Sequence, residues 1–363
     1  MEFWQGKKVL LTGHTGFKGS WLSLWLQALG ADLIGFSLSP PTLPNLFEIA
    51  RVKKEMISVT GDIRDFSLLE NTLKQYQPEI VIHMAAQSLV RYSYQEPLKT
   101  YATNVMGTAN LLEAIRLKDL AKVVVNVTSD KCYENKEMAR GYCETDRLGG
   151  YDPYSNSKAC AELVTQAYRD SYFASKGIGI ATVRAGNVIG GGDWAKDRLV
   201  PDVINACINQ KTLLLRYPNA LRPWQHVLEP LHGYLILAKH LYQSPEHYSG
   251  SWNFGPNEED IKSVSWMVDS IMQRWPTKTN WQLAENSQPH ESTLLTLDST
   301  KAKLNLAWKP QWGIEQAVNK TVECYQVYCK KADEMKAKML LQINEFMQDN
   351  SFRQSETLIA GSA

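Results

Sequence analysis

The chain has 363 residues, 44% of them hydrophobic, and a formal net charge of +1 from 39 basic and 38 acidic side chains. Such a chain can bury a large core, in one composite or two closely packed domains. The evenly mixed charge leaves no footprint for nucleic acid or an anionic membrane, no stretch approaches a membrane span, and Met1–Lys8 holds no apolar signal core. Cysteines 132, 143, 160, 207, 324 and 329 show neither Cys-x-x-Cys pairs nor a metal-ligand rhythm with histidine. The expectation is a soluble cytoplasmic protein with free thiols and no metal.

Lys8–Thr12 reads as a short buried strand, followed by Gly13-His14-Thr15-Gly16-Phe17-Lys18-Gly19 and a run of helical period from Ser20 to Gly30. Glycines at the first, fourth and seventh positions allow a tight turn, close approach to a pyrophosphate, and helix-on-strand packing. The helix amino terminus then faces the phosphates of a dinucleotide. Leu33–Phe36 should be the second strand. An acidic residue that would hold ribose hydroxyls is expected near its end, but Ser37-Leu38-Ser39-Pro40-Pro41 stands there, so NAD and NADP are not separated by this position. Asp62, in Gly61-Asp62-Ile63-Arg64-Asp65, is placed either to accept from an adenine amine or, like Asp65, to cap the helix Phe66–Tyr76. Glu79–Gln87 reads as a further strand whose small-residue exit, Ala85-Ala86-Gln87, permits backbone approach to a flat cofactor. His83 within it is a core histidine. Asn104 opens a helix to Ile115 and is suited to pin backbone near the site, with capping by Thr103 the alternative.

Val123–Val127 is a Val-rich strand that breaks into Thr128-Ser129-Asp130-Lys131-Cys132-Tyr133. In a doubly wound sheet, ligands sit beyond the carboxyl ends of strands, so this polar burst is placed for chemistry. Tyr154-Ser155-Asn156-Ser157-Lys158 follows, leading into apolar period from Ala159 to Tyr172. Tyr154 and Lys158 share one helix face, and an ammonium beside a phenol favours the phenolate. The plainer alternative makes them a packing tyrosine and a solvated charge. Asp130 and Lys131 would both enter the site only if the strand has already ended, because successive strand residues point to opposite faces.

Ala181–Arg184 is a later strand, left through Ala185–Trp194, whose four glycines imply backbone approach to a ligand or an abrupt change of course. Arg198 precedes a helix at Leu199–Ile204, and Arg222 offers a guanidinium suited to a diphosphate. Trp252–Asn257 is expected to pass between domains, and Gln288–Glu291 to bring His290 towards a substrate. The chain reads as helical from Ile314 to about Phe346, with a polar, frayed tail. The alternation implies an α/β protein: a Rossmann-type doubly wound parallel sheet with a smaller mixed α/β substrate domain. The expected division is 1–185 with a returning segment near 223–252, then 186–222 with 253–330, then 331–363.

Taken together, the Gly13–Trp21 turn, Thr128–Tyr133, Arg184–Trp194 and Arg222–His226 resemble the extended short-chain dehydrogenase/reductases that act on nucleotide sugars, over about residues 4 to 330. Within that family the likeness is to the 4,6-dehydratases acting on CDP-glucose. The resemblance implies a lyase that keeps NAD bound and regenerates it each turnover, a homodimer (or tetramer) joined through cofactor-domain helices, and a place in supplying bacterial O-antigen sugars for lipopolysaccharide. It implies cofactor contacts from the Gly13–Gly19 turn, Asp62, Ile63, Ala85, Ala86, Gln87, Asn104, Thr128, Tyr154 and Lys158. Gln87, Ser129, Asn187, Arg198, Arg222 and His290 would hold the nucleotide sugar. Tyr154 would take the 4-hydroxyl proton, Ser129 would bond the same hydroxyl, Asp130 would protonate the departing C6 hydroxyl, and Lys131 stands where dTDP-glucose relatives carry a glutamate as C5 base. A nucleotide-sugar 4-epimerase shares the tyrosine and lysine but has no use for Asp130 and Lys131. An idle dinucleotide-sensing regulator would lack Tyr154 or Lys158.

Overall fold

The computed structural model describes residues 2–118, 120–138, 140–284 and 294–348. Seven parallel strands form its central sheet: β1 (Lys8–Thr12), β2 (Asp32–Ser37), β3 (Ile57–Thr60), β4 (Ile80–His83), β5 (Val123–Val127), β6 (Gly179–Ala185) and β7 (Gly250–Phe254). Their order is β7-β6-β5-β4-β1-β2-β3. The order reverses between β1 and β4, which leaves a crevice beyond their carboxyl ends. The main helices are α1 (Phe17–Ala28), α2 (Phe66–Tyr76), α3 (Gly107–Lys118), α4 (Pro153–Tyr168), α5 (Leu199–Asn209), α6 (Leu228–Gln243), α7 (Val264–Arg274), α8 (Ile314–Lys331) and α9 (Met335–Gln348).

Strand side chains alternate between faces, and the sheet is covered on both. Val9, Leu11, Ile80, Ile82, Val123 and Val125 point to one side, where Trp21 and Trp25 of α1, Leu231 and Leu237 of α6, and Phe346 of α9 complete a core. Leu10, Val81, Val124 and Ile180 point to the other, against Leu69 and Leu73 of α2 and Leu111 and Ile115 of α3. A separate core joins α5, α7 and α8 through Val203, Ile204, Met267, Ile271, Val318 and Tyr325. Short polar side chains fix where helices begin: Asp65 accepts from Leu68 N at 3.0 Å, Asp152 from Ser155 N at 2.9 Å, and Ser263 from Trp266 N at 3.1 Å.

Three elements depart from the sequence reading. Trp252 to Phe254 belong to the edge strand β7, which pairs in parallel with β6, before the chain leaves the sheet. The helix expected from Asn104 is preceded by a wide, five-residue-spaced turn at Ala102–Met106. The helix expected from Ile314 is two helices, broken where Lys331 takes φ −161°. The break turns α9 back onto α1, so that Phe346 meets Trp25 edge-on at 5.7 Å. The four-glycine loop after β6 is explained mainly by packing. A Cβ on Gly191 would overlap Cys324 of α8, and Gly192 has φ +86° against Leu46. No helix among the described residues is long and apolar enough to cross a membrane.

Candidate active site

One cleft of about 1220 Å³ runs from the end of β1, past the ends of β4 and β5, to a wall made by α5 and residues 213–224. At its inner end Thr12 stitches β1 to β4: its hydroxyl lies 2.7 Å from His83 Nδ1 and accepts from Met84 N and Ala85 N. Gly13 (φ +76°) must be glycine, since a Cβ would stand 2.8 Å from Ala85 N, and a Cβ on Gly19 would overlap the Gly13 carbonyl. Gly16 begins α1 with no side-chain cap, so first-turn N–H groups face the cleft. This cradle, with Ala85 and Ala86 beside it, fits the diphosphate of a dinucleotide. At the end of β2 the missing carboxylate gives way to hydroxyls: Thr15 Oγ1 lies 2.8 Å from Ser37 Oγ and donates to the Leu38 carbonyl. Asp62 and Ile63 also line the cleft, and Arg64 already donates to both Asp62 oxygens, holding that carboxyl below its usual range.

Beyond β5 the strand is over before the chemistry begins. Ser129 caps a short 3-10 turn, Asp130–Cys132, by accepting from Lys131 N. The tighter turn lets both Asp130 and Lys131 line the cleft, which an extended strand forbids. Asp130 is buried and accepts from Ser129 Oγ at 2.9 Å. Burial pushes its carboxyl up, against the lowering pull of Lys131, Ser129 and Lys18, so the protonated acid is favoured relative to an exposed aspartate. Gly186 leaves the needed room, since a Cβ there would come within 3.2 Å of Asp130 Oδ2.

Tyr154 sits at the start of α4, anchored by donation of its backbone N–H to Ser93 Oγ. Burial pushes its phenol up to about 12, while hydrogen bonding with Ser129 and the Arg198 charge pull it down. Lys158, one turn on, points instead to the end of β5 and donates to the Val127 carbonyl at 3.1 Å. Burial lowers its amine to about 8, against the Glu162 charge. Lys158 thus shares a helix face with Tyr154 while its amine is engaged at the end of β5.

Lys18, Thr128, Asn187, Arg198 and Arg222 line the same cleft. Arg198 ties its walls together, donating to Asp193 Oδ2 and to Ser88 Oγ, both at 2.9 Å. Three expected contacts are placed elsewhere. The His14 ring packs between Gly35 and Phe47, with Nε2 2.8 Å from Ser58 Oγ, and burial lowers it to about 4. The Gln87 amide is engaged locally, donating to the Leu89 carbonyl and Thr100 Oγ1 and accepting from Leu89 N, and Gln87 does not line the cleft. Asn104 pins backbone beside the site, as its position implied, accepting from the Gln87 N–H and donating to the Gln87 carbonyl, while its side chain does not itself line the cleft. His290 lies outside the described residues.

Lys18, expected among the cofactor contacts of the glycine turn, lines the cleft with its amine close enough to Asp130, Arg198 and Lys158 to feel their charges. It is buried and lowered to about 8, first by burial and then by Arg198 and Lys158, with Asp130 opposing. Sequence reasoning missed Glu162, whose carboxylate accepts from Thr128, Thr182 and Arg184. Its position four residues after Lys158 was the available signal.

Comparison with known proteins agrees with this geometry. The chain is 52% identical over 337 residues to the CDP-glucose 4,6-dehydratase of Salmonella typhimurium, covering 92% of this chain and 94% of that one. It is 27% identical over 331 residues to a dTDP-glucose 4,6-dehydratase of Xanthomonas campestris, covering 87% and 92%. The crystal structure of a dTDP-glucose 4,6-dehydratase from Bacillus anthracis in complex with NAD superposes with a TM-score of 0.75 at 23% identity, over 92% of this chain and 100% of that one. A profile of the GDP-mannose 4,6 dehydratase family matches residues 10–321, and on that match the chain belongs to this family of extended short-chain dehydrogenase/reductases.

Proposed function

We propose that the chain is a nucleotide-sugar 4,6-dehydratase that converts CDP-glucose to CDP-4-dehydro-6-deoxyglucose and water. The observation that carries this reading is the turn that brings Asp130 and Lys131 into one cleft with Tyr154. The 52% identity to the Salmonella dehydratase supports the substrate. NAD fits the glycine cradle, and its chemistry when bound is to accept hydride from C4 and return it at C6.

Tyr154, in its phenolate form, receives the proton of the 4-hydroxyl, the positive charges of Lys158 and Arg198 favouring that form against burial, and Ser129 holds that oxygen. The resulting 4-ketone acidifies the C5 proton, which the unprotonated amine of Lys131 removes and, after exchange with solvent, returns to C5. The Asp130–Lys131 pair shares one proton, which starts on the carboxyl. Asp130, whose carboxyl burial pushes up, gives the shared proton to the C6 hydroxyl as it leaves as water. Lys158 fixes the end of β5 and adds positive charge to the chamber. Arg198, Arg222 and Asn187 hold the nucleotide diphosphate.

Assembly as a homodimer is supported by exposed apolar side chains on one group of helices: Leu98, Met106, Leu117, Leu163 and Tyr172. A cytoplasmic setting is supported by six unpaired cysteines. Feeding CDP-glucose to the purified protein in D2O tests the reaction. The expected product is lighter by one water and carries one deuterium, at C5. An epimerised sugar with no water lost would overturn the dehydratase reading.

A further inference from the structure

The substrate wall carries one carboxylate that the reaction above does not use. Asp202 lies one turn into α5, its N–H donating to the Arg198 carbonyl at 3.1 Å, and it lines the cleft with Leu213–Tyr217. Val200, Pro201, Leu213, Leu215 and Val264 line the same cleft. Two arginines stand within electrostatic reach, Arg91 and Arg216, and both pair with Asp197, at 3.5 and 3.9 Å. Among the described residues the Asp202 carboxylate has no hydrogen-bond or ion-pair partner. Burial and then Asp197 push its carboxyl up to about 6, against Arg216 and Arg91. A half-buried acceptor without a donor is costly, and a ligand that brings the donor recovers that cost.

The cleft divides its ligand by chemistry. On the reading above the Asp130–Cys132 turn takes the sugar and Arg198 and Arg222 the diphosphate, which leaves the wall of α5 and residues 213–217 for the base. A carboxylate is repelled by the diphosphate, so it belongs with the base. Pyrimidines differ at one edge: cytosine carries an exocyclic amine, a donor, where uracil and thymine carry a carbonyl acceptor. We propose that Asp202 selects cytosine, its carboxylate accepting a hydrogen bond from the exocyclic amine and repelling the carbonyl of the other pyrimidines. This inference rests on the CDP-glucose reading and names the residue that enforces it.

The test is calorimetric titration of the wild type, Asp202→Leu and Asp202→Asn with CDP, UDP and dTDP, followed by kcat/KM for CDP-glucose and UDP-glucose. The wild type should favour CDP by about ten- to hundredfold. In Asp202→Leu, CDP affinity should fall by about that factor, UDP should change less than about threefold, and kcat at saturating CDP-glucose should be retained. Asp202→Asn, whose amide both donates and accepts, should also narrow the preference and serves if the leucine variant does not fold. A wild type that favours UDP or dTDP overturns the CDP-glucose reading and this inference together. A wild type that favours CDP, with an unchanged ratio in either folded variant, overturns this inference alone.

Discussion

Glu162→Gln is the substitution whose effect can be worked furthest from the coordinates. Glu162 and Arg184 are each 2% exposed and meet at 2.7 Å. The two carboxylate oxygens accept from Arg184 Nε and Nη2 and from the hydroxyls of Thr128 and Thr182. Glutamine keeps one acceptor oxygen and turns an N–H2 group towards the other donors, leaving a buried guanidinium without its counter-charge. Breaking a buried pair from one side costs about 3–5 kcal/mol. With an unfolding entropy of about 2.1 cal/mol/K per residue, 363 residues give about 0.8 kcal/mol/K, so Tm should fall by about 4–6 °C at pH 7. Burial alone would raise the Glu162 carboxyl, but Arg184, Thr128 and Thr182 more than offset it and hold it below its ordinary 4.5. Its contribution is therefore full above that value and lost as pH falls through the lower folded value, so the gap in Tm should close in acid. Thermal unfolding by circular dichroism across pH is the assay. A drop of less than about 1 °C at pH 7 would refute the reasoning, and Glu162→Leu with Arg184→Met should recover most of the loss.

Asp130→Asn should lower dehydration kcat by about a hundredfold or more while CDP-glucose still binds, measured by product absorbance in alkali and by titration. Gly19→Ala drives a Cβ into the Gly13 carbonyl, so the purified variant should carry little dinucleotide, read by absorbance after denaturation. Burial lowers His14 to about 4 and His83, His226 and His232 each to about 3. These groups stay neutral when folded and protonate near 6.5 when unfolded. Stability should therefore be highest above pH 6.5 and decline as pH falls from there towards 4 to 3, seen as a falling Tm.

Much of the fold was legible because single-period patterns dominate it. Four of the five residues of Val123–Val127 are valine because both faces of β5 are covered, and the polar burst that follows marks its end. The Gly13–Gly19 turn was legible because each tight approach leaves only one residue type possible. Other features depend on partners distant in the chain. Lys158 and Tyr154 share a helix face, yet the free carbonyl of Val127, 31 residues upstream, claims the amine. His14 sits in a phosphate-binding turn, but Gly35 opens a slot behind it. Gln87 stands at a strand exit, and Thr100 and Leu89 take its amide before a ligand can. Nothing local in residues 314–346 announces the break at Lys331, which is set by the apolar surface that α1 offers to α9.

The return of α9 to α1 imposes an order on biosynthesis. Trp25, in the helix whose first turn forms the phosphate cradle, meets Phe346 and sits under Met339 and Ile343, which leave the ribosome some three hundred residues later. At about 5–20 residues per second, that apolar surface waits from roughly fifteen seconds to a minute for its cover. Throughout that interval the nascent chain presents indole rings to chaperones, and emergence of α9, rather than of the glycine turn, marks when the cofactor helix is first fully supported.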